Sequence, residues 1–82
     1  MGGKIAQRIS EFKAANNLTE ISHLPPTKLH MLTGNRKDYF AVRVSENWRI
    51  VFRGLDKDGE VTVIKESAVS VYIKEVVDYH GD

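Results

Sequence analysis

The chain has 82 residues and no cysteine, so it has room for one small core and no disulfide or thiolate metal site to reinforce it. A formal net charge of +1 hides an uneven distribution: Lys28 to Arg53 carries six basic residues against two acidic ones, and Gly54 onward carries three against seven. No apolar run is long enough to span a bilayer, "MGGKIAQRIS" lacks a signal-peptide core and has Ala6 where a myristoylation signal has Ser or Thr, and a soluble cytoplasmic protein of one domain, 1–82, is expected.

In "GKIAQRISEFKAANN" the residues Ile5, Ile9 and Phe12 recur at helical spacing, with Gln7, Arg8, Glu11 and Lys13 off that stripe. The spacing predicts an amphipathic helix ending near Asn16 or Asn17. "LTEISHLPP" has room for a short turn capped by Thr19 before Pro25 and Pro26 impose extended backbone.

From Leu29 the period changes to two. "LHML" reads as a short strand, "TGNRKD" as a loop, "YFAVRVS" and "WRIVFRG" as strands, "LDKDGE" as a loop and "AVSVYIKEVV" as a long last strand. "VTVIKES" fits either a strand or an extended excursion. The fold class that follows is α+β, a helix packed on a small twisted antiparallel sheet.

The hairpin between Tyr39 and Arg53 can be registered from its pattern. A loop of Ser45, Glu46 and Asn47 pairs Val44 with Trp48, Val42 with Ile50 and Phe40 with Phe52, which gives one apolar face. Asn47 is then a candidate for left-handed backbone. The other face sets Tyr39 across from Arg53, Ala41 across from Val51, and Arg43 directly across from Arg49. Like charges so opposed are unfavourable, and an anion between them would compensate.

Three histidines carry the acid–base potential. His23 precedes the two prolines and reads as surface, His30 lies in "LHML" beside the basic loop, and His80 follows Asp78 at the end of the last strand. No metal-ligand spacing, nucleophile elbow or glycine-rich phosphate loop is present, so neither cofactor nor metal is expected. Histidines, an aspartate, arginines and tyrosines suit cleavage of RNA, where the substrate's 2′-hydroxyl is the nucleophile and the protein supplies a base, an acid and cations. Aromatic rings can stack the bases.

In chain order, "LHMLTGNRK", "YFAVRVSENWRIVFR" and "VVDYH" resemble the HigB-type toxins of bacterial type II toxin–antitoxin systems, within the RelE-like superfamily and the plasmid maintenance killer family. The resemblance spans Ile5 to His80. It implies a RelE-like fold and a ribosome-dependent mRNA endoribonuclease that inhibits translation. It also implies a HigA-type helix-turn-helix antitoxin as partner, with operator DNA reached only through that antitoxin and no membrane involved. It assigns catalytic or substrate-contacting roles to His30, Arg49, Asp78, Tyr79 and His80, and matches Arg36 and Lys37 to the family's basic loop. Arg43, Arg53 and Tyr39 complete the expected RNA surface on the polar face of the hairpin. Thr33 stands where members often have lysine, and the family usually opens with a further strand and helix before the helix seen here. The alternative is a non-catalytic RelE- or ParE-fold toxin, or a degenerate member that acts only by binding protein. A general RNA-binding module would keep the basic face but would not need His80.

Overall fold

A computed structural model of the chain describes residues 2–78, so the expected roles of Tyr79 and His80 fall outside the described residues. Helix α1 (Gly2–Ala14) is followed by strands β1 (His30–Met31), β2 (Phe40–Arg43), β3 (Trp48–Leu55), β4 (Val61–Thr62) and β5 (Ser70–Asp78). Short 3-10 turns lie at Leu18–Glu20, Gly34–Arg36 and Lys65–Ser67. Every strand pairing is antiparallel, as the α+β reading expects.

β3 is the axis of the sheet. β5 runs along it from Trp48 to Leu55. A strand has only two edges, so β2 at Arg49–Phe52 and β4 at Gly54–Leu55 share the other one end to end. β1 adds outside β2. "VTVIKES" begins as the strand the sequence allowed, two residues long, but its second half forms the 3-10 turn Lys65–Ser67 and not an extended excursion.

The hairpin adopts the expected register: Phe40 opposes Phe52, Val42 opposes Ile50 and Arg43 opposes Arg49, while the Val44 amide closes the loop onto the Trp48 carbonyl at 2.8 Å. Phe40, Val42, Ile50 and Phe52 are fully buried. On this face Phe12 of α1 meets Phe52 edge-on at 4.8 Å between ring centroids, and Phe40 stacks on Phe52 at 5.8 Å. Burial of these side chains, about 1.5–3 kcal/mol each, is what docks α1 on the sheet. Gly54 lies on the same face, where an added Cβ would come within 2.9 Å of the Ala68 Cβ and 3.0 Å of the Thr62 carbonyl. Its lack of a side chain lets the Lys65–Ser67 turn and the residues that follow it close over the end of β3.

Four local expectations are corrected. The helix stops at Ala14, two residues early, and the Asn16 amide donates instead to the Glu20 carboxylate at 2.8 Å. Asn17, not Thr19, caps the next turn, its side-chain oxygen accepting the Thr19 amide at 2.9 Å. Asn47 does not take positive φ; among the described non-glycine residues that conformation belongs to Lys28 (φ 50°) and Asp38 (φ 74°). Arg8, off the apolar stripe, is only 4% exposed. Its Nε donates to the Arg43 carbonyl at 2.7 Å and its Nη1 to Glu11 at 3.0 Å, and Glu11 in turn accepts from the Thr27 hydroxyl at 3.2 Å. Arg8 is therefore a pinned contact between α1 and β2, satisfied by a charge partner and a backbone carbonyl.

Candidate active site

Residues directly opposite one another in an antiparallel ladder project on the same side of the sheet, so the registers define the face away from α1. One row across it is Arg43, Arg49 and Val77. The next is His30, Ala41, Val51 and Glu75. The third is Arg53 and Tyr72, joined by Tyr39, whose ring lies 4.4 Å from the Arg53 guanidinium. Ala41 and Val51 form a floor that is fully buried although no helix covers it. Long polar side chains roof it instead: Arg36, from the turn after β1, reaches across to Glu75 at 3.1 Å.

β1 is held where His30 can act. The His30 Nδ1 is 2.9 Å from the Lys28 carbonyl. A carbonyl can only accept, so Nδ1 carries the proton and, in the neutral ring, Nε2 keeps the lone pair that can take one up. Lys28 makes this contact from left-handed backbone, and Asp38 adopts left-handed backbone just before Tyr39. Such a conformation costs a residue with a Cβ about 1–2 kcal/mol. The two strained positions bracket the segment that supplies His30, Arg36 and Lys37, and Tyr39 follows directly.

The opposed arginines have unequal surroundings. Arg49 is half-buried and its Nη1 lies 3.5 Å from the Glu46 carbonyl. The Arg43 Nε is buried with no hydrogen-bond partner. Arg53 likewise has a buried, unpartnered Nε beneath the Tyr39 ring. Two buried, unpartnered guanidinium donors on one face, in rows separated by Ala41 and Val51, favour anions at this surface.

The structure therefore brings His30, Arg36, Tyr39, Arg43, Arg49 and Arg53 onto one face, while Lys37 is exposed on the adjoining loop. Asp78 is placed differently. It opposes Trp48, at the end of β5 and on the α1 side of the sheet. The cause is a bulge: Val51 opposes Glu75 but Phe52 opposes Ile73, leaving Lys74 as an extra residue. Consecutive Lys74 and Glu75 thus both serve the polar face, Lys74 5.7 Å from the Tyr39 ring and Glu75 on Arg36. Sequence reasoning missed Tyr72, Lys74 and Glu75 as members of this site. The signal was present in "SVYIKEVV", where apolar residues at 71 and 73 are followed by the next at 76, one step too far for strict alternation.

Comparison with known proteins agrees with this architecture. The family described as the RelE-like toxin of the type II toxin–antitoxin system HigB matches residues 2–80. The chain is similar to a protein of Proteus vulgaris named endoribonuclease HigB, 34% identical over 70 residues that cover 83% of this chain. The match spans 63% of that protein's length. With the helix, the five-stranded antiparallel sheet and a match over nearly its whole length, this chain belongs to the HigB family of RelE-like toxins of type II toxin–antitoxin systems.

Proposed function

We propose that this toxin is an endoribonuclease that cuts messenger RNA on the ribosome and is held inactive by a HigA-type helix-turn-helix antitoxin. The observation that carries the reading is the gathering of four arginines and a tautomer-fixed histidine on one sheet face, with tyrosine beside them. The name of the Proteus vulgaris relative supports the same activity.

In the reaction, His30 through Nε2, or His80, takes the proton of a ribose 2′-hydroxyl. The 2′-oxygen attacks the adjacent phosphorus, the bond to the 5′-oxygen breaks, and the other histidine or a nearby cation assists that leaving oxygen, which departs as a 5′-hydroxyl. The products are a 2′,3′-cyclic phosphate, or its hydrolysed form, and the new 5′ end. Arg49, with Arg36, neutralises the charge of the pentacovalent phosphate, where a guanidinium can hold two oxygens at once. Asp78 opposes Trp48 on the other side of the sheet and takes no step here, and Tyr79 stacks or positions a base.

Inducing the protein and mapping the 5′ ends of cellular mRNA tests the reading. Translation arrest with cuts at codon positions is expected. His80→Ala should abolish both arrest and cutting while the melting curve stays in place, and a 2′-deoxy nucleotide at the cut position should block cleavage. Arrest with intact mRNA would instead identify the non-catalytic alternative, for which Thr33 at the family's lysine position is the supporting observation.

A further inference from the structure

Beyond the arginines and His30, the polar face holds a second feature. Tyr39, Arg53, Leu55, Val61, Tyr72, Ile73 and Lys74 line a cleft of about 450 Å³. Its walls are of two kinds. Tyr72 opposes Arg53 across β3 and β5 and is 64% exposed, while Leu55 and Val61 add apolar surface. Two cations converge on the Tyr39 ring, the Arg53 guanidinium at 4.4 Å and the Lys74 ammonium at 5.7 Å. Among the described residues neither has a carboxylate partner, and the Arg53 Nε is buried without an acceptor. The bulge in β5 lets Lys74 share this face with Glu75 and so brings it to the cleft.

A flat apolar surface beside two unneutralised cations matches the two halves of a nucleotide, its base and its phosphate. We propose that this cleft is a nucleotide subsite, in which Tyr72 stacks a base of single-stranded RNA while Arg53 and Lys74 hold its phosphate. The inference rests on the reading of this face as an RNA surface. Arg53 lies four residues from Arg49 along β3, roughly 13 Å at the rise of an extended strand. The subsite therefore takes a nucleotide flanking the cut, not the one being cut. Stacking on an exposed ring tolerates any base, so the subsite adds grip and sets the path of the strand without reading sequence.

The test uses the full chain with a labelled single-stranded RNA that carries a 2′-O-methyl group at the cut position, so that it is bound and not consumed. Tyr72→Ala should weaken binding roughly five- to a hundredfold, the range that loss of one base–aromatic stack covers. Tyr72→Phe should bind like the wild type, because the ring is kept. Lys74→Gln should weaken binding and lower the salt dependence by about one counterion. RNA with one abasic nucleotide, moved stepwise along the strand, should show a single position at which the wild type is weakened and Tyr72→Ala is weakened no further. Superimposable melting curves establish that these variants are folded. Unchanged RNA binding by Tyr72→Ala and Lys74→Gln overturns the subsite, as does a wild type that binds no RNA, or variants that lose the antitoxin and keep the RNA. Cleavage of cellular mRNA is read separately: a wild type that cuts while Tyr72→Ala binds normally refutes the subsite and leaves the nuclease standing. A wild type that binds through Tyr72 and never cuts does the reverse.

Discussion

At the scale of single residues, the proposed mechanism gives Arg43 and Arg49 different tasks, holding the RNA and cutting it. They face each other in the ladder, an arrangement that costs about 0.2–1 kcal/mol in the free protein. The backbone bonds at Arg43, its amide to the Thr27 carbonyl at 2.7 Å and its carbonyl to Arg8 at 2.7 Å, do not involve its side chain. Arg43→Gln should therefore leave thermal stability unchanged or raise it slightly while weakening binding to RNA and flattening its salt dependence by about one counterion. Arg49→Gln should lose the cleavage rate as well, with kcat falling more than binding, because the proposed mechanism makes Arg49 the transition-state cation. Single-turnover cleavage and salt titrations on the two variants check this. Equal losses of kcat would remove the division of roles, and a large loss of stability in Arg43→Gln would mean that its side chain supports the sheet.

At the scale of elements, β3 carries the molecule, because β2, β4 and β5 all pair with it. Its weakest tolerance is at Gly54. The Cβ of an alanine there would overlap the Ala68 Cβ and the Thr62 carbonyl, a backbone atom that cannot rotate away. Gly54→Ala should destabilise by about 1–3 kcal/mol, as overpacking of a close site does. Urea unfolding would show it as a lower midpoint at constant slope. A midpoint at the wild-type value would mean that β4 and the following turn shift at no cost. At the same scale, the bulge in β5 turns Lys74 and Glu75 to the polar face together and Asp78 toward Trp48. One extra residue thus decides which side chains of the last strand join the arginines.

At the scale of the whole molecule, the polar face is the side of the sheet that α1 does not cover. Among the described residues it gathers cations, a histidine and tyrosines from several strands and loops of a small chain. In the proposed function the ribosome aligns the message, and placing a substrate contributes several kcal/mol to a rate. Free RNA should accordingly be cut far more slowly than the same message on a ribosome, measured as single-turnover rates at matched concentrations. Equal rates would show that the chain completes its own site. Among the described residues no helix is long and apolar enough to cross a membrane.

The sequence by itself determined the elements and the hairpin. The two-residue period of "YFAVRVSENWRIVF" admits one register with a clean apolar face, and that register sets Arg43 against Arg49 and Tyr39 against Arg53. The motif around "NWRI" likewise pointed to the family. Contacts between segments distant in the chain were a different matter. Arg8 reads as surface on its helix, and only the approach of the Arg43 carbonyl, thirty-five residues away, makes its burial affordable. The pairing of Arg36 with Glu75 and the convergence of Arg53 and Lys74 on Tyr39 depend on where β5 slips against β3. Periodicity reports which face of an element is buried. It carries no information about which partner covers that face, because that choice is made by packing among all the elements at once.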